Sequence, residues 1–278
     1  MDRPHILYNE KTKKYVCWLK IMNADRTQSM TVLAADSILG PYTKVRENLK
    51  PLGMSSGDFD LAKDDQGKAY YYFERVHSEL ICVELTEDYT DVTGVYSRHF
   101  PQPYPPYVRE APAHFERNGR HYLITSGTTG YSPNPSEVAV ADDWHGPFTV
   151  LGDPHPDDGS HTSYHSQVSS VFKVQGKKDL YIACADRWLP ENTERKYEDY
   201  ARLYEAFFHM TPGNFWFLVK KLIRIGLFPT KKNIPIIQKK LLPVANTRIA
   251  DYVWLPIRFE GDMVYIDWKD EWRIEDYE

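Results

Sequence analysis

An internal repeat constrains the fold of this chain more than any other feature of the sequence. A short strand, a polar turn that carries Gly or Lys, and a second strand rich in Tyr and Leu recur with a period of about 50 residues. Turns such as Asn118-Gly119 tolerate positive φ, so each copy predicts a β-hairpin. Hairpins at this period are typical of β-propeller blades, and a β-sandwich with regularly spaced hairpins is the alternative. The copies begin at His5, Asp60, Pro112, Ser169 and Leu255.

A second pattern supports the repeat. Gly40-Pro41-Tyr42 and Gly146-Pro147-Phe148 are 106 residues apart, which is about two periods. Each follows an apolar alternating segment that ends in Ala-Asp or Asp-Asp, and each is predicted to start a short outer strand. We therefore expect an all-β propeller that forms one domain over residues 1–278.

Helical patterning is almost confined to residues 192–242, where apolar residues recur near helical spacing until Pro212-Gly213 interrupts them. We expect an insertion over about 192–247 in the last blade. The apolar stretch 207–228 has two interpretations, a surface helix that meets a membrane or a partner, or a helical flap that packs on the propeller and covers its edge.

Composition excludes several classes of protein. The net charge of −5 gives no reason to expect nucleic acid as a partner. No run of 18 apolar residues occurs and the first ten residues lack an apolar core, so we expect neither a transmembrane helix nor a signal peptide here, and the location stays open. Cys17, Cys82 and Cys184 lie in separate strand-like runs, which favours buried free thiols over disulfides or zinc ligands.

Polar residues recur at one place in the repeat, the start of the first strand of each copy. They stand at positions 2, 58, 110 and 167, with spacings of 56, 52 and 57 residues. Because the inner strands of a propeller all end at one central cavity, we expect these side chains to form a polar ring. A glycosidase needs such a ring, with one carboxyl to protonate the leaving oxygen and a second group to handle water. The alternative for Glu110 is a structural ion pair with Arg109 or Arg120.

Several motifs, taken in order, resemble family-43 glycoside hydrolases, and within them the exo-β-1,3-galactanases. Asp58 stands in a Ser-x-Asp setting, Glu110 in Glu-Ala-Pro, and Asp186-Arg187-Trp188 ends a strand. The resemblance covers about 1–190 and 250–274. Its other motifs are DRPHILYN from Asp2, SGTTGYSPN from Ser126, YVWLPI from Tyr252 and DEW from Asp270.

The resemblance implies a five-bladed propeller, of which the first blade is absent here, and an inverting enzyme that releases galactose. It assigns Glu110 as the general acid and Asp58 as the carboxylate that orients Glu110 and raises its pKa by like-charge repulsion. Gln167 stands where this subgroup has an amide in place of the usual base, and Gly57 stands where the subgroup has Arg. The substrate-binding residues it implies are Asp2, His77, Thr128, Tyr131, Asn134 and Trp188.

Two other functions stay open. A degenerate propeller that binds glycans without cleaving them is favoured by the absent first blade. Another family-43 activity, such as β-xylosidase or α-L-arabinofuranosidase, is disfavoured by Gln167, since those enzymes usually carry a first-blade Asp base.

The expected partner is an oligosaccharide or polysaccharide substrate, and no cofactor is required. Asp157-Asp158-Gly159 resembles part of a calcium loop, and a structural calcium ion is one interpretation of it, a solvated turn the other. His165 could ligate an ion in the central channel or serve as a hydrogen-bonded core histidine. The open propeller edge and the 207–228 segment are the two candidate surfaces for self-association.

Overall fold

The described part of the chain folds into an all-β propeller of four blades. The computed structural model describes residues 2–25, 27–189, 196–224 and 249–278, together with positions 194, 226, 245 and 246. Sixteen strands in this part of the chain form four antiparallel sheets of four strands each. The five-bladed ring with an absent first blade is therefore not confirmed.

The first two blades follow the order of the sequence, and each strand pairs with the next along the chain. Blade 1 contains β1 (Asp2–Asn9), β2 (Lys14–Met22), β3 (Gln28–Ala35) and β4 (Thr43–Leu49). Blade 2 contains β5 (Ser56–Lys63), β6 (Ala69–Arg75), β7 (Glu79–Leu85) and β8 (Val92–His99).

The last two blades have the same order, but the helical segment interrupts the fourth. Blade 3 contains β9 (Arg109–Arg117), β10 (Arg120–Gly127), β11 (Ser136–Ala141) and β12 (Thr149–Gly152). Blade 4 contains β13 (Gln167–Lys173), β14 (Tyr181–Arg187), β15 (Asp251–Glu260) and β16 (Met263–Ile266), with α1 (Glu198–Phe208) and α2 (Pro212–Arg224) between β14 and β15.

The first four copies of the sequence repeat are the inner hairpins of the four blades, which confirms that interpretation. The copy at Leu255 differs, because it forms the outer pair β15 and β16 of blade 4. A hairpin signal reports local strand pairing and not the position of the pair within a sheet. The two Gly-Pro motifs precede β4 and β12, the outer strands that they predict.

Apolar side chains between neighbouring sheets form the core. Between blades 1 and 2 the rings of Trp18, Phe59, Tyr71 and Phe73 pack with centroids 4.8 to 5.3 Å apart, and all four are fully buried. A second cluster, which includes Phe115 and other side chains, joins blades 3 and 4. Much of the aromatic content of the chain therefore stabilises blade packing. All three cysteines are free and buried, as the sequence predicts.

The two helices pack on one another. Leu203 and Ala206 of α1 meet Leu218 of α2 in a small buried cluster. Neither helix of the described part is long and apolar enough to cross a membrane. Phe215 and Trp216 of α2 are exposed, so the interpretation of 207–228 as a docking surface stays a prediction.

Candidate active site

Every inner strand is irregular close to its start. The ladder slips between Asp2 and His5 in β1 and between Ser56 and Phe59 in β5. The same happens between Glu110 and Ala113 in β9 and just after Val168 in β13. An extra residue bends a strand and changes where its side chains point. The four irregularities therefore explain how the polar residues that open the inner strands reach a common space.

That space is a cavity of about 610 Å³. Eight of the nine residues predicted for the site line it. They are Asp2, Asp58, His77, Glu110, Thr128, Tyr131, Gln167 and Trp188. The cavity also takes residues that the sequence analysis did not place there, namely Arg3, Lys20, Glu74, Asp186, Tyr204 and Phe208.

Four positions outside the predicted polar ring follow a second periodic signal. Lys20, Glu74, Ser126 and Asp186 stand near the ends of the second strands of the four blades, with spacings of 54, 52 and 60 residues. Three of them pair across the ladder with a residue of the first ring, as Lys20 does with Asp2, Ser126 with Glu110 and Asp186 with Gln167. Residues paired in this way lie side by side on one face of a sheet. The ends of the second strands could therefore have been read from the same repeat.

Asp58 lies in a cationic environment. Its carboxylate contacts Arg3 Nε at 3.1 Å and Lys20 Nζ at 2.5 Å, and all three side chains are largely buried. Burial opposes ionisation, but the charges of Arg3 and Lys20 prevail and lower the pKa of Asp58 below its usual value. Asp2 is 3.8 Å from Lys20. The blade 1 side of the cavity therefore carries an ionised Asp58 with two cations.

Glu110 has the opposite environment. Its closest polar partner is the Gln167 amide, whose Nε2 lies 3.4 Å from Oε1. Burial raises the pKa of Glu110 well above its usual value, and the charges of Asp58 and Glu74 add to that effect. Arg109 instead binds Thr125 and Glu137, while Arg120 pairs with Asp142 and Asp262. A structural ion pair between Glu110 and either arginine is not found among the described contacts.

Gln167 has a fixed orientation. Its Nε2 donates to Ser126 Oγ at 2.6 Å, and its Oε1 accepts from the Arg3 guanidinium. Both ends of the amide are engaged, so the network defines which end carries the nitrogen. Arg3 thereby links Asp58 to Gln167.

Glu74 is a third buried carboxyl of the site. Its Oε1 accepts a hydrogen bond from the backbone N–H of His77 at 2.7 Å. Burial and the charge of Asp58 raise the pKa of Glu74 to about 7, against the effect of that hydrogen bond. A Cβ placed on Gly57 would lie only 2.0 Å from Glu74 Oε2. Glu74 therefore fills the space that a side chain at position 57 would need.

Aromatic residues border the mouth of the cavity. The Tyr131 and Trp188 rings meet edge to face at 5.6 Å, and the His77 and Phe208 rings meet in the same way at 5.2 Å. Tyr131 and Phe208 are each 46% exposed. Thr128 is held in place below them by a 2.9 Å hydrogen bond from its hydroxyl to the Val108 carbonyl.

Asn134 is the one predicted residue that lies behind the cavity. Its Nδ2 donates to the Gly127 carbonyl at 2.7 Å and to Thr129 Oγ1 at 2.6 Å, and its Oδ1 accepts from the Gly127 N–H at 2.6 Å. With all its polar atoms used, Asn134 closes the SGTTGYSPN loop and thereby supports Thr128 and Tyr131.

Asp158 organises the loop that leads to β13. Its carboxylate accepts hydrogen bonds from the backbone N–H groups of Ser160, Thr162 and Tyr164, and its side chain is buried and not solvated. No group of three His, Cys, Asp or Glu side chains suited to a metal ion occurs in the described ranges. The calcium interpretation stays a prediction.

Comparisons with known proteins agree with this geometry. The model of glycosyl hydrolases family 43 matches residues 4–202. A search of curated proteins found no match. Solved structures resemble the chain at identities that indicate a shared fold. A family-43 β-1,3-galactosidase has 24% identity and a TM-score of 0.69, over 99% of this chain and 47% of its own.

Two exo-β-1,3-galactanases have the same resemblance. The enzyme from Phanerochaete chrysosporium, solved with β-1,3-galactotriose, has 21% identity and a TM-score of 0.65. The enzyme from Clostridium thermocellum has 23% identity and a TM-score of 0.65. Each match covers 95% of this chain and 48% of the other. This chain spans about half the length of these three proteins. Since the family model covers well over half of the sequence, the chain belongs to glycosyl hydrolases family 43.

Proposed function

We propose that this chain is an inverting glycosidase that releases galactose from the ends of β-1,3-linked galactan. The observation that carries the proposal is that two carboxyls of one cavity have opposite surroundings, since Asp58 contacts the cations Arg3 and Lys20 whereas Glu110 contacts the neutral Gln167 amide. Glu110 has a raised pKa and Asp58 a lowered one. A glycosidase needs a carboxyl that still holds its proton at working pH beside groups that are ionised.

In the proposed reaction Glu110 gives its proton to the glycosidic oxygen as the bond between that oxygen and the anomeric carbon breaks. A water molecule attacks the anomeric carbon from the opposite face, so the configuration inverts. Asp58 stays ionised and, together with Glu74, opposes loss of the proton from Glu110 before the reaction.

The water needs a group that accepts its proton. The Oε1 of Gln167 already accepts from Arg3, and a neutral amide is a weak base, so Gln167 is better suited to holding the water. Asp186 pairs with Gln167 across the ladder and also lines the cavity. We assign the proton of the water to Asp186, because it faces Gln167 across the ladder and lines the same cavity.

The substrate assignment draws on the structural relatives, which are described as exo-β-1,3-galactanases and a β-1,3-galactosidase. The cavity offers carboxylates for sugar hydroxyls and aromatic rings for sugar faces, in agreement with such a substrate. The same proposal includes substrate contacts of Asp2 and His77. It also includes the five-bladed ring that the motifs imply.

The test is hydrolysis of β-1,3-galactobiose by the wild type and two variants. Glu110→Gln should lower kcat at least about 10²-fold, because the amide has no proton of suitable acidity to give. Glu116→Gln is the matched control, since Glu116 lies exposed on the same strand β9, and it should leave kcat unchanged. The first product seen by NMR should be α-galactose. An active Glu110→Gln variant, or β-galactose as first product, would contradict the mechanism.

A glycan-binding protein without activity is the second candidate, favoured by the engagement of the Gln167 oxygen with Arg3. It predicts that β-1,3-galactotriose binds to the wild type and is not cleaved. The other family-43 activities predict cleavage of nitrophenyl β-xyloside or α-L-arabinofuranoside in preference to the galactoside. One substrate panel, with binding measured by calorimetry, separates the three.

A further inference from the structure

Helix α1 presents two aromatic side chains to the cavity, although it belongs to an insertion that the other three blades do not have. Tyr204 and Phe208 both line the cavity, and their four-residue spacing places them on one face of the helix. Leu203 and Ala206 pack instead against α2. One face of α1 therefore lies in the core of the insertion and another borders the candidate active site.

Tyr204 is the deeper of the two residues. Its hydroxyl would lie 3.1 Å from a Cβ on Gly130, whose φ of +55° and missing side chain leave room for the ring. Burial and the charge of Glu110 both raise the pKa of Tyr204. The phenol lines the same cavity as the proposed acid.

Phe208 stands one turn further along, at the mouth of the cavity. Nearly half of its surface is exposed, and its only ring contact in the described residues is with His77, at a centroid distance of 5.2 Å. The hydrophobic effect favours covering such a ring. The C–H face of a sugar ring can do so while the sugar hydroxyls stay in water or bond to polar groups.

Both ends of α1 are tied to propeller loops, so its aromatic face has a defined position. At the start, Tyr197 N donates to the Ser160 carbonyl at 3.0 Å and Glu198 pairs with His161 at 2.9 Å. At the end, the His209 ring lies 4.3 Å from that of Tyr104. The helix thus spans from the loop before β13 to the loop before β9.

We propose that helix α1 is a specificity wall for an oligosaccharide whose terminal sugar reaches Glu110. Phe208 packs on the second sugar, and the Tyr204 hydroxyl forms a hydrogen bond to the substrate between the two sugars. The inference rests on the proposed function and adds the residues that select a sugar as the leaving group. It predicts that the helix matters for a disaccharide and not for a substrate whose leaving group is a single atom.

The experiment compares β-1,3-galactobiose with β-galactosyl fluoride, whose leaving group does not extend to α1. Phe208→Ala should raise KM for galactobiose about 3- to 10-fold, the worth of one aromatic contact, and leave kcat/KM for the fluoride within about two-fold. Tyr204→Phe, which keeps the ring, should reduce kcat for galactobiose several-fold with the fluoride again unaffected. Phe208→Tyr should restore the wild-type KM. Phe215→Ala, an exposed aromatic of α2 outside the cavity lining, is the control and should change neither substrate.

Equal losses on both substrates, or no loss on either, would overturn the specificity wall while the proposed function stands. If the wild type cleaves neither substrate, the proposed function fails, and calorimetry with β-1,3-galactotriose then decides on the wall. Weaker binding by Phe208→Ala than by Phe215→Ala supports it. Equal binding by these variants, or no binding by the wild type, overturns it.

Discussion

Asp58 at the start of β5 and Glu110 at the start of β9 line one cavity from neighbouring blades and hold the same place in the repeat. Asp58 contacts Arg3 and Lys20, which come from blade 1. Glu110 has only the neutral Gln167 as a polar partner within hydrogen-bond reach among the described residues. As a result the pKa of Asp58 is lowered and that of Glu110 is raised.

The difference shows that position within the repeat brings carboxyls together but does not assign their roles. The roles depend on which neighbouring blade supplies cations. Arg3 and Lys20 of blade 1 both contact Asp58 of blade 2, whereas Gln167 of blade 4 and Ser126 of blade 3, which lie beside Glu110, are neutral. A carboxyl that keeps its proton beside an ionised carboxylate is suited to act as a general acid.

Removing the negative charge of Asp58, which contacts both Arg3 and Lys20, should give the largest effect. Asp58→Asn leaves Arg3 and Lys20 without their shared partner, although their side chains are only 9% and 12% exposed. We expect a loss of about 3–5 kcal/mol in the free energy of unfolding and a decrease of about 10- to 100-fold in kcat. Urea unfolding and galactobiose hydrolysis measure the two.

The control for Asp58→Asn is Asp36→Asn, which removes the exposed ion pair of Asp36 with Lys14 and should cost under about 1 kcal/mol. The pH dependence gives a further check. Because folding lowers the pKa of Asp58, its contribution is present above the unfolded pKa and is lost as the pH falls through the folded pKa. The difference in the free energy of unfolding between the wild type and Asp58→Asn should therefore become smaller at acid pH. A gap that is constant with pH would contradict this account.

The packing of the buried Glu74 carboxyl can be tested through Gly57. In Gly57→Ala the new Cβ would lie 2.0 Å from Glu74 Oε2, so the buried carboxyl must move. We expect a loss of about 1–3 kcal/mol in the free energy of unfolding from this overpacking. In the background of Glu74→Ala the same change should cost about 1 kcal/mol less, as a double-mutant cycle would show. Additive losses would indicate that Glu74 does not occupy the space beside Gly57.

The sequence could predict the blades and the inner ring because both depend on local, repeated signals. Each hairpin is encoded by its own turn and strands, and equivalent strand starts meet wherever blades surround one cavity. The common cavity of Glu110, Asp58 and Gln167 can therefore be predicted from their spacing. Lys20, Glu74 and Asp186 follow the same period at the ends of the second strands, so they were accessible in principle.

Other parts of the site could not be predicted from the repeat. Tyr204 and Phe208 belong to an insertion without a periodic counterpart, and its path over the propeller depends on contacts with distant loops, such as that of His209 with Tyr104. Asn134 lies in a predicted motif, but its amide is used inside its own loop. The protonation of the carboxyls depends on burial and on charges from other blades, which sequence spacing does not report.

The smallest expected effect, and the sharpest test of the comparison, is a shift in the pH profile of Glu74→Gln. Glu110 acts in its protonated form, so the alkaline limb of kcat/KM reports its loss of a proton. Glu74 has a pKa of about 7 and carries charge above that pH, where it raises the pKa of Glu110. Gln carries no charge, so Glu110 should lose its proton more easily and the alkaline limb should move to lower pH, with kcat at acid pH changed less than about two-fold.

Glu79→Gln is the control, since Glu79 is also buried in blade 2 but pairs with Arg75 and Arg98 away from the cavity lining. A limb that stays in place in Glu74→Gln, or that moves equally in both variants, would mean that Glu74 does not influence the acid.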